Sequence, residues 1–285
     1  MGSRAPAFGA PVPPELRIDG RATAALLVDF VRRETRKAGF GRIVVGLSGG
    51  VDSATSAAIA CRALGPRRVL CALLPYRTSS PGSLRDARRV ARLLGCRTAT
   101  IDITPMIDTY FRRQRGASRI RRGNKMARER MSILYDLSSR ETALVLGTSN
   151  KTELLLGYGT IFGDMACAIN PLGDLYKTQV RWLASHLGIP DKIVWKTPTA
   201  DLWAGQSDEG ELGYRYADID RLLLLMVERR ASRREAIAAG FSGPMVDRIT
   251  RLIARSQYKR RPPLIAKISS RTVGIDFRYP RDWGR

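Results

Sequence analysis

One stretch constrains the chain more than any other: Ile43-Val44-Val45-Gly46-Leu47-Ser48-Gly49-Gly50-Val51-Asp52-Ser53. It begins as a short β-branched apolar run, the pattern of a buried parallel strand. A Ser-Gly-Gly turn follows, and Ser53 to Leu64 then reads as an alanine-rich helix. A strand, a glycine turn and a helix start together make an anion site, because free backbone N–H groups and the helix dipole both favour negative charge. Gly49 and Gly50 permit positive φ and close approach of the backbone to the anion. Ser48 and Ser53 add hydroxyl donors. The common G-x-x-x-x-G-K-[ST] phosphate loop needs a lysine that this stretch lacks. Asp52 sits there instead, and a carboxylate beside bound phosphates requires a cation between them. Asp52 is therefore a candidate Mg²⁺ ligand. The competing reading is a strand-turn-helix corner with a capping Asp or Ser.

The remaining pattern builds around that loop. Ala22 to Lys37 has apolar residues at helical spacing. Arg68 to Leu74 reads as a second buried strand, Arg77 to Ser83 as a mobile polar loop, Leu84 to Leu94 as a basic helix and Arg97 to Ile103 as a third strand. Such alternation predicts a doubly wound α/β fold, with a mostly parallel sheet and helices on both faces. Ligands of such sheets bind beyond the carboxyl ends of the strands. Arg121 to Tyr135 is a very basic helix, which pattern alone makes a solvated and partly packed one. Thr142 to Leu146 is a fourth strand.

Gly147-Thr148-Ser149-Asn150-Lys151-Thr152-Glu153 follows that strand, so it lies at the same sheet edge as Asp52. Glu153 offers a second oxygen ligand for a nucleotide-bound Mg²⁺. Lys177 opens a helix running from Thr178 to Leu187. A lysine at that end opposes the helix dipole, and a bound anion removes the penalty, so Lys177 reads as a phosphate ligand. Pro198 to Trp203 and Gly205 to Glu209 have the composition and length of a lid. Tyr214 to Tyr258 reads as mostly helical, which makes the C-terminal part helical.

A chain of 285 residues accommodates one large domain, expected over 21–285, with 1–20 as a flexible N-terminal segment. No run approaches the length of a membrane span, and the start lacks a hydrophobic signal region, so a cytoplasmic protein is expected. The net charge is +23, with 41 Arg against 8 Lys. The basic residues are spread over many helices without interleaved aromatics. That favours anionic small molecules over nucleic acid as partners. The four cysteines are scattered without C-x-x-C, so they read as packing residues rather than a metal site.

The Ser-Gly-Gly-Val-Asp-Ser loop resembles that of the ATP pyrophosphatases, which split ATP between its α- and β-phosphates. Further blocks make the chain look like an ammonia-dependent NAD⁺ synthetase: Arg122-Gly-Asn to Tyr135, Gly147 to Gly157, Gly163-Asp164 with Ile169-Asn170-Pro171, Leu175 to Val180 and Ala200 to Gly213. The resemblance implies an adenine nucleotide alpha hydrolase-like fold. It implies a two-step ligase: the carboxylate of deamido-NAD⁺ attacks ATP, giving an adenylate and pyrophosphate, and ammonia then displaces AMP. By that resemblance Gly46, Leu47, Ser48, Gly49, Gly50, Val51, Asp52 and Ser53 bind ATP, with Thr148, Lys177 and Thr199. Asp52 and Glu153 hold Mg²⁺. Asp164 matches an aspartate that receives ammonium, and Arg128 one of the deamido-NAD⁺ contacts near a homodimer interface.

Three positions depart from the family pattern. Many members have Lys-Tyr-Gly-Asp where this chain has Ile161-Phe162-Gly163-Asp164. Many have Asp at Ala168, and many have His-Lys at Tyr258-Lys259. All belong by resemblance to deamido-NAD⁺ recognition. The alternative is another ATP pyrophosphatase, amidating a different carboxylate or modifying tRNA.

Overall fold

The computed structural model describes residues 12–273 except 115, 204 and 262. Four strands, β1 (Ile43–Gly46), β2 (Val69–Leu73), β3 (Arg97–Thr100) and β4 (Leu144–Leu146), form a parallel sheet in the order β3-β2-β1-β4. Ile43 pairs with Val69 on one side and Leu144 on the other. The strand order therefore reverses at β1, and β1 and β4 flank the switch point where open α/β sheets bind ligands.

Strand alternation divides the core. Ile43, Val45, Val69, Cys71 and Leu73 face one layer, packed by α1 (Gly20–Lys37), α2 (Val51–Leu64) and α3 (Pro81–Leu94). Val44, Leu70, Ala72 and Val145 face the other, against α4 (Thr104–Phe111) and α5 (Arg119–Glu141). The expected double winding is thus present. Each fully buried aliphatic side chain contributes about 1.5–3 kcal/mol relative to exposure.

The second half of the chain is mainly helical. It runs through α6 (Lys151–Leu156), α7 (Lys177–His186), α8 (Asp191–Val194), α9 (Asp208–Leu212), α10 (Tyr216–Leu223), α11 (Arg233–Ala238) and α12 (Gly243–Arg255). A third apolar cluster forms there around Tyr216, Ile219 and Leu222. Among the described residues no helix is long and apolar enough to cross a membrane.

Several boundaries differ from expectation. Within 12–20, part of the segment expected to be flexible, Leu16 is fully buried in the third cluster, and the Ile18 carbonyl accepts the Trp182 indole N–H at 3.1 Å. Residues 1–11 lie outside the described set. The expected loop Arg77 to Ser83 ends at Ser80, because Ser80 caps α3 through the Gly82 N–H and Pro81 fits the first helical turn. The third strand stops at Thr100: Asp102 accepts the Thr104 N–H at 2.8 Å and turns the chain into α4. Helix α5 extends beyond both ends of the range expected for it. Three of the scattered cysteines converge. Cys96 Sγ lies 3.3 Å from Cys71 Sγ, and Cys61 packs in the same layer.

Candidate functional site

A cleft of about 520 Å³ opens over the carboxyl ends of the strands. Its floor is the loop after β1. Ser53 Oγ receives the Ser48 N–H at 3.2 Å and donates to the Gly50 carbonyl at 3.0 Å. Ser48 Oγ accepts the Gly50 N–H at 3.3 Å. No side chain caps α2, so its first amides remain available to a ligand. Gly49 has φ +83°, and a Cβ there would lie 2.2 Å from the Ser83 carbonyl oxygen. The first turn of α3 thus presses on the loop from behind, and only glycine fits.

Asn150, Glu153 and Lys177 reach the loop from α6 and α7. Asn150 donates its side-chain amide to Asp52 Oδ1 at 2.9 Å. It also caps α6, where Glu153 completes a reciprocal capping box. Lys177 is 3% exposed, and its ammonium lies 2.5 Å from Asp52 Oδ2 and 3.1 Å from Glu153 Oε1. The dipole penalty expected at Lys177 is therefore met by two protein carboxylates, while the residue still lines the cleft.

Asp208, buried at the start of α9, adds a third carboxylate that accepts from the Tyr158 and Tyr216 hydroxyls. Burial alone favours a neutral Lys177, but Asp52 and Glu153 outweigh it and hold the ammonium charged. Glu153 is pushed up to about 7, first by burial and then, against Lys177, by the charge of Asp52. Burial raises Asp208 as well. The group is thus short of positive charge. Among the described residues no set of three or more His, Cys, Asp or Glu has metal-binding geometry. The oxygen-only donors and the excess negative charge of Asp52, Glu153 and Asp208 over Lys177 nevertheless fit a hard divalent cation.

The raised Glu153 has a measurable consequence. The folded protein binds its proton more tightly than the unfolded chain, whose group titrates near 4.5. Stability should therefore fall as pH rises from about 4.5 to about 7. Urea midpoints measured across that window should slope less in Glu153→Gln than in the parent. Equal slopes would remove Glu153 as the source.

Gly46, Leu47, Ser48, Gly50, Val51, Asp52, Ser53, Thr148, Glu153, Asp164, Lys177, Thr199 and Lys259 all line the cleft. Asp164 accepts the Thr160 N–H at 2.7 Å. Arg128, Ile161, Ala168 and Tyr258 do not line it. Arg128 is exposed and donates to the Ile161 carbonyl at 3.2 Å. Ile161 and Tyr258 border a separate apolar depression with Phe162 and Leu264, and Ala168 is tied through its N–H to the Val145 carbonyl.

Sequence reading did not single out Asn150, Asp208 or Arg130 as site residues. Arg130 lines the cleft and donates Nε–H to the Leu74 carbonyl at 3.0 Å. A polar residue on the buried face of α5 was the available signal for it. Asp208 lies within the expected lid, but α9 begins there and carries it inward. The lid's other end is held as well: Asp201 accepts the Ser80 N–H at 2.9 Å, and Lys196 bonds Asp86 at 3.0 Å.

The site is also held from the far end of the chain. Lys259 donates to the carbonyls of Gly157 and Gly159 at 2.8 Å. Arg260 donates to the carbonyls of Leu154 and Leu155 at 3.2 and 2.8 Å, which closes the C-terminal end of α6.

Residues 23–263 match the family model described as NAD synthase. The chain belongs to the NAD synthase family. It is 53% identical over 271 residues to the NH(3)-dependent NAD(+) synthetase of Chlorobaculum parvum, covering 95% of this chain and 98% of that protein. It is 56% identical over 258 residues to the protein of the same name from Chlorobium phaeobacteroides, covering 90% and 93%. Among solved structures, the NH3-dependent NAD synthetase of Campylobacter jejuni aligns with a TM-score of 0.75 at 31% identity, covering 88% of this chain and 100% of that one. The NMN synthetase of Francisella tularensis aligns with a TM-score of 0.79 at 31% identity, covering 88% and 99%.

Proposed function

We propose that this protein amidates deamido-NAD⁺ with ammonia to form NAD⁺, using ATP and releasing AMP and pyrophosphate. The observation that carries the reading is the uncapped α2 start over Asp52, Glu153 and Lys177 in one cleft. Its relatives at over half identity bear the name of that activity. Gly46 to Ser53 cradle the ATP phosphates, with Thr148 and Thr199 on the cleft wall. Asp52 and Glu153 would hold Mg²⁺, which would neutralise charge on the phosphates.

Lys177 adds fixed positive charge where pyrophosphate departs. The nicotinate carboxylate of the substrate forms the new bond to the α-phosphorus, and the α–β phosphate bond breaks. Ammonia then attacks the carbonyl carbon of the adenylate, and AMP leaves. Asp164, on the cleft wall, accepts the proton that ammonium must lose before attack. Arg128, Ile161, Ala168, Tyr258 and Lys259 form the outer substrate contacts, with a second copy of the chain in a homodimer. Four free cysteines fit a reducing cytoplasm.

Mass spectrometry of products from ATP, Mg²⁺, ammonium and deamido-NAD⁺ is the test. NAD⁺, AMP and pyrophosphate are expected in equal amounts. ADP as the stoichiometric product would overturn the reading. The likeness to an NMN synthetase supports a second reading, in which the acid corresponding to NMN is the substrate. Parallel assays with that mononucleotide separate the two by kcat/KM. Ammonium is expected to support turnover, and glutamine alone is not.

A further inference from the structure

Asp220 lies on α10, away from the cleft lining, and is fully buried. Its carboxylate accepts three hydrogen bonds. Oδ1 receives the Thr152 hydroxyl at 2.5 Å. Oδ2 receives the Thr178 N–H and the Thr178 hydroxyl, both at 2.8 Å. Thr152 Oγ1 in turn accepts the Lys177 N–H at 3.0 Å. Thr152 immediately precedes Glu153 in the first turn of α6, and Thr178 immediately follows Lys177 in the first turn of α7. One carboxylate therefore ties together the starts of two helices, and each start carries a cleft residue.

We propose that Asp220 is a positioning residue for the adenylation step, fixing the spacing of Glu153 and Lys177 by stapling the first turns of α6 and α7. The proposal rests on the function assigned above to those two residues. A neutral cap would satisfy either helix start alone. Only an acceptor with two equivalent oxygens serves the Thr152 hydroxyl and the Thr178 N–H together. Asparagine offers one oxygen and would turn an amide N–H toward the other donor. Burial raises the Asp220 carboxyl to about 6, so the ionised group at neutral pH opposes folding. Its place in the fold is then explained by what it holds, since the charge itself adds no stability.

The experiment compares Asp220→Asn, Thr152→Val and Thr152→Ser with the parent, measuring melting temperature, kcat and KM for ATP. Asp220→Asn is expected to lower kcat about 10- to 100-fold, the usual effect of removing a supporting hydrogen bond at a site. Its melting temperature at pH 7 should stay within a few degrees of the parent's. Thr152→Val keeps the packing volume and loses the hydroxyl relay, so kcat should fall. Thr152→Ser keeps the hydroxyl and loses a methyl, so kcat should hold within about threefold while melting temperature drops. Activity that follows melting temperature across all three variants would overturn the positioning role. So would an Asp220→Asn enzyme of parental kcat. Should Asp220→Asn not fold, the opposed pair at Thr152 decides the matter alone. A parent that makes no AMP from deamido-NAD⁺ overturns the function rather than this role.

Discussion

Lys177→Met should leave an enzyme that neither adenylates nor folds well at neutral pH. The ammonium is buried between Asp52 and Glu153, with Asp208 acting on it from α9. Methionine fills similar space and removes the only cation in that group. Breaking a buried pair from one side costs about 3–5 kcal/mol, because the partners stay buried and unpaired. Denaturant midpoints at pH 8 should show a loss of that size. The deficit should shrink toward pH 5, as protons take over part of the missing charge; Glu153, already pushed up to about 7, responds first. Pyrophosphate exchange into ATP should be undetectable throughout. A variant with parental stability at pH 8 would mean that the three carboxylates are not held together by this lysine.

Asp52→Asn and Glu153→Gln test the same group from the other side, with the fold preserved. Glutamine still serves as the third residue of the α6 capping box, so Glu153→Gln removes charge and little else. Asparagine at position 52 still accepts the Asn150 amide through its oxygen. Hard divalent cations prefer charged oxygens, and loss of one electrostatic partner of a transition state costs about 100- to 1000-fold. Each variant should lose pyrophosphate exchange by roughly the upper figure of that range. The double variant should fall little further, since the two act as a unit. Exchange within a few-fold of the parent in both single variants would remove them from the nucleotide.

The loop and the sheet were legible because their signals are local. Val44 and Val45 face opposite layers, and a run apolar at every position announces such a two-faced strand. Gly49 and Asp52 stand within a few residues of one another, so the turn carried its own evidence. Partners far apart in sequence were not legible in the same way. Lys177 and Asp52 are 125 residues apart, and the dipole argument detected the need for an anion without finding which one. Asp220 looked like an ordinary acid of a surface helix and Asp208 like part of a lid loop, since nothing in their neighbours encodes burial. Pro81 and Gly82 read as loop residues because both disrupt helix interiors, although the first helical turn accepts them. Arg128, Ile161 and Tyr258 came from resemblance alone, and they stand apart from the cleft that the local motifs built.

The clamp on α6 bears on how the protein comes off the ribosome. Six residues cannot sustain a helix in isolation. The carbonyls at its far end are met by Arg260, and those of the glycines beyond it by Lys259, roughly a hundred positions later in synthesis. The loop after β1, the sheet and Lys177 all emerge earlier, and they can collapse as a nascent core. Glu153, however, sits on an element whose last contacts do not yet exist. The cleft is therefore among the last parts to be completed, and a chain arrested shortly before Lys259 would have its core without a finished cleft.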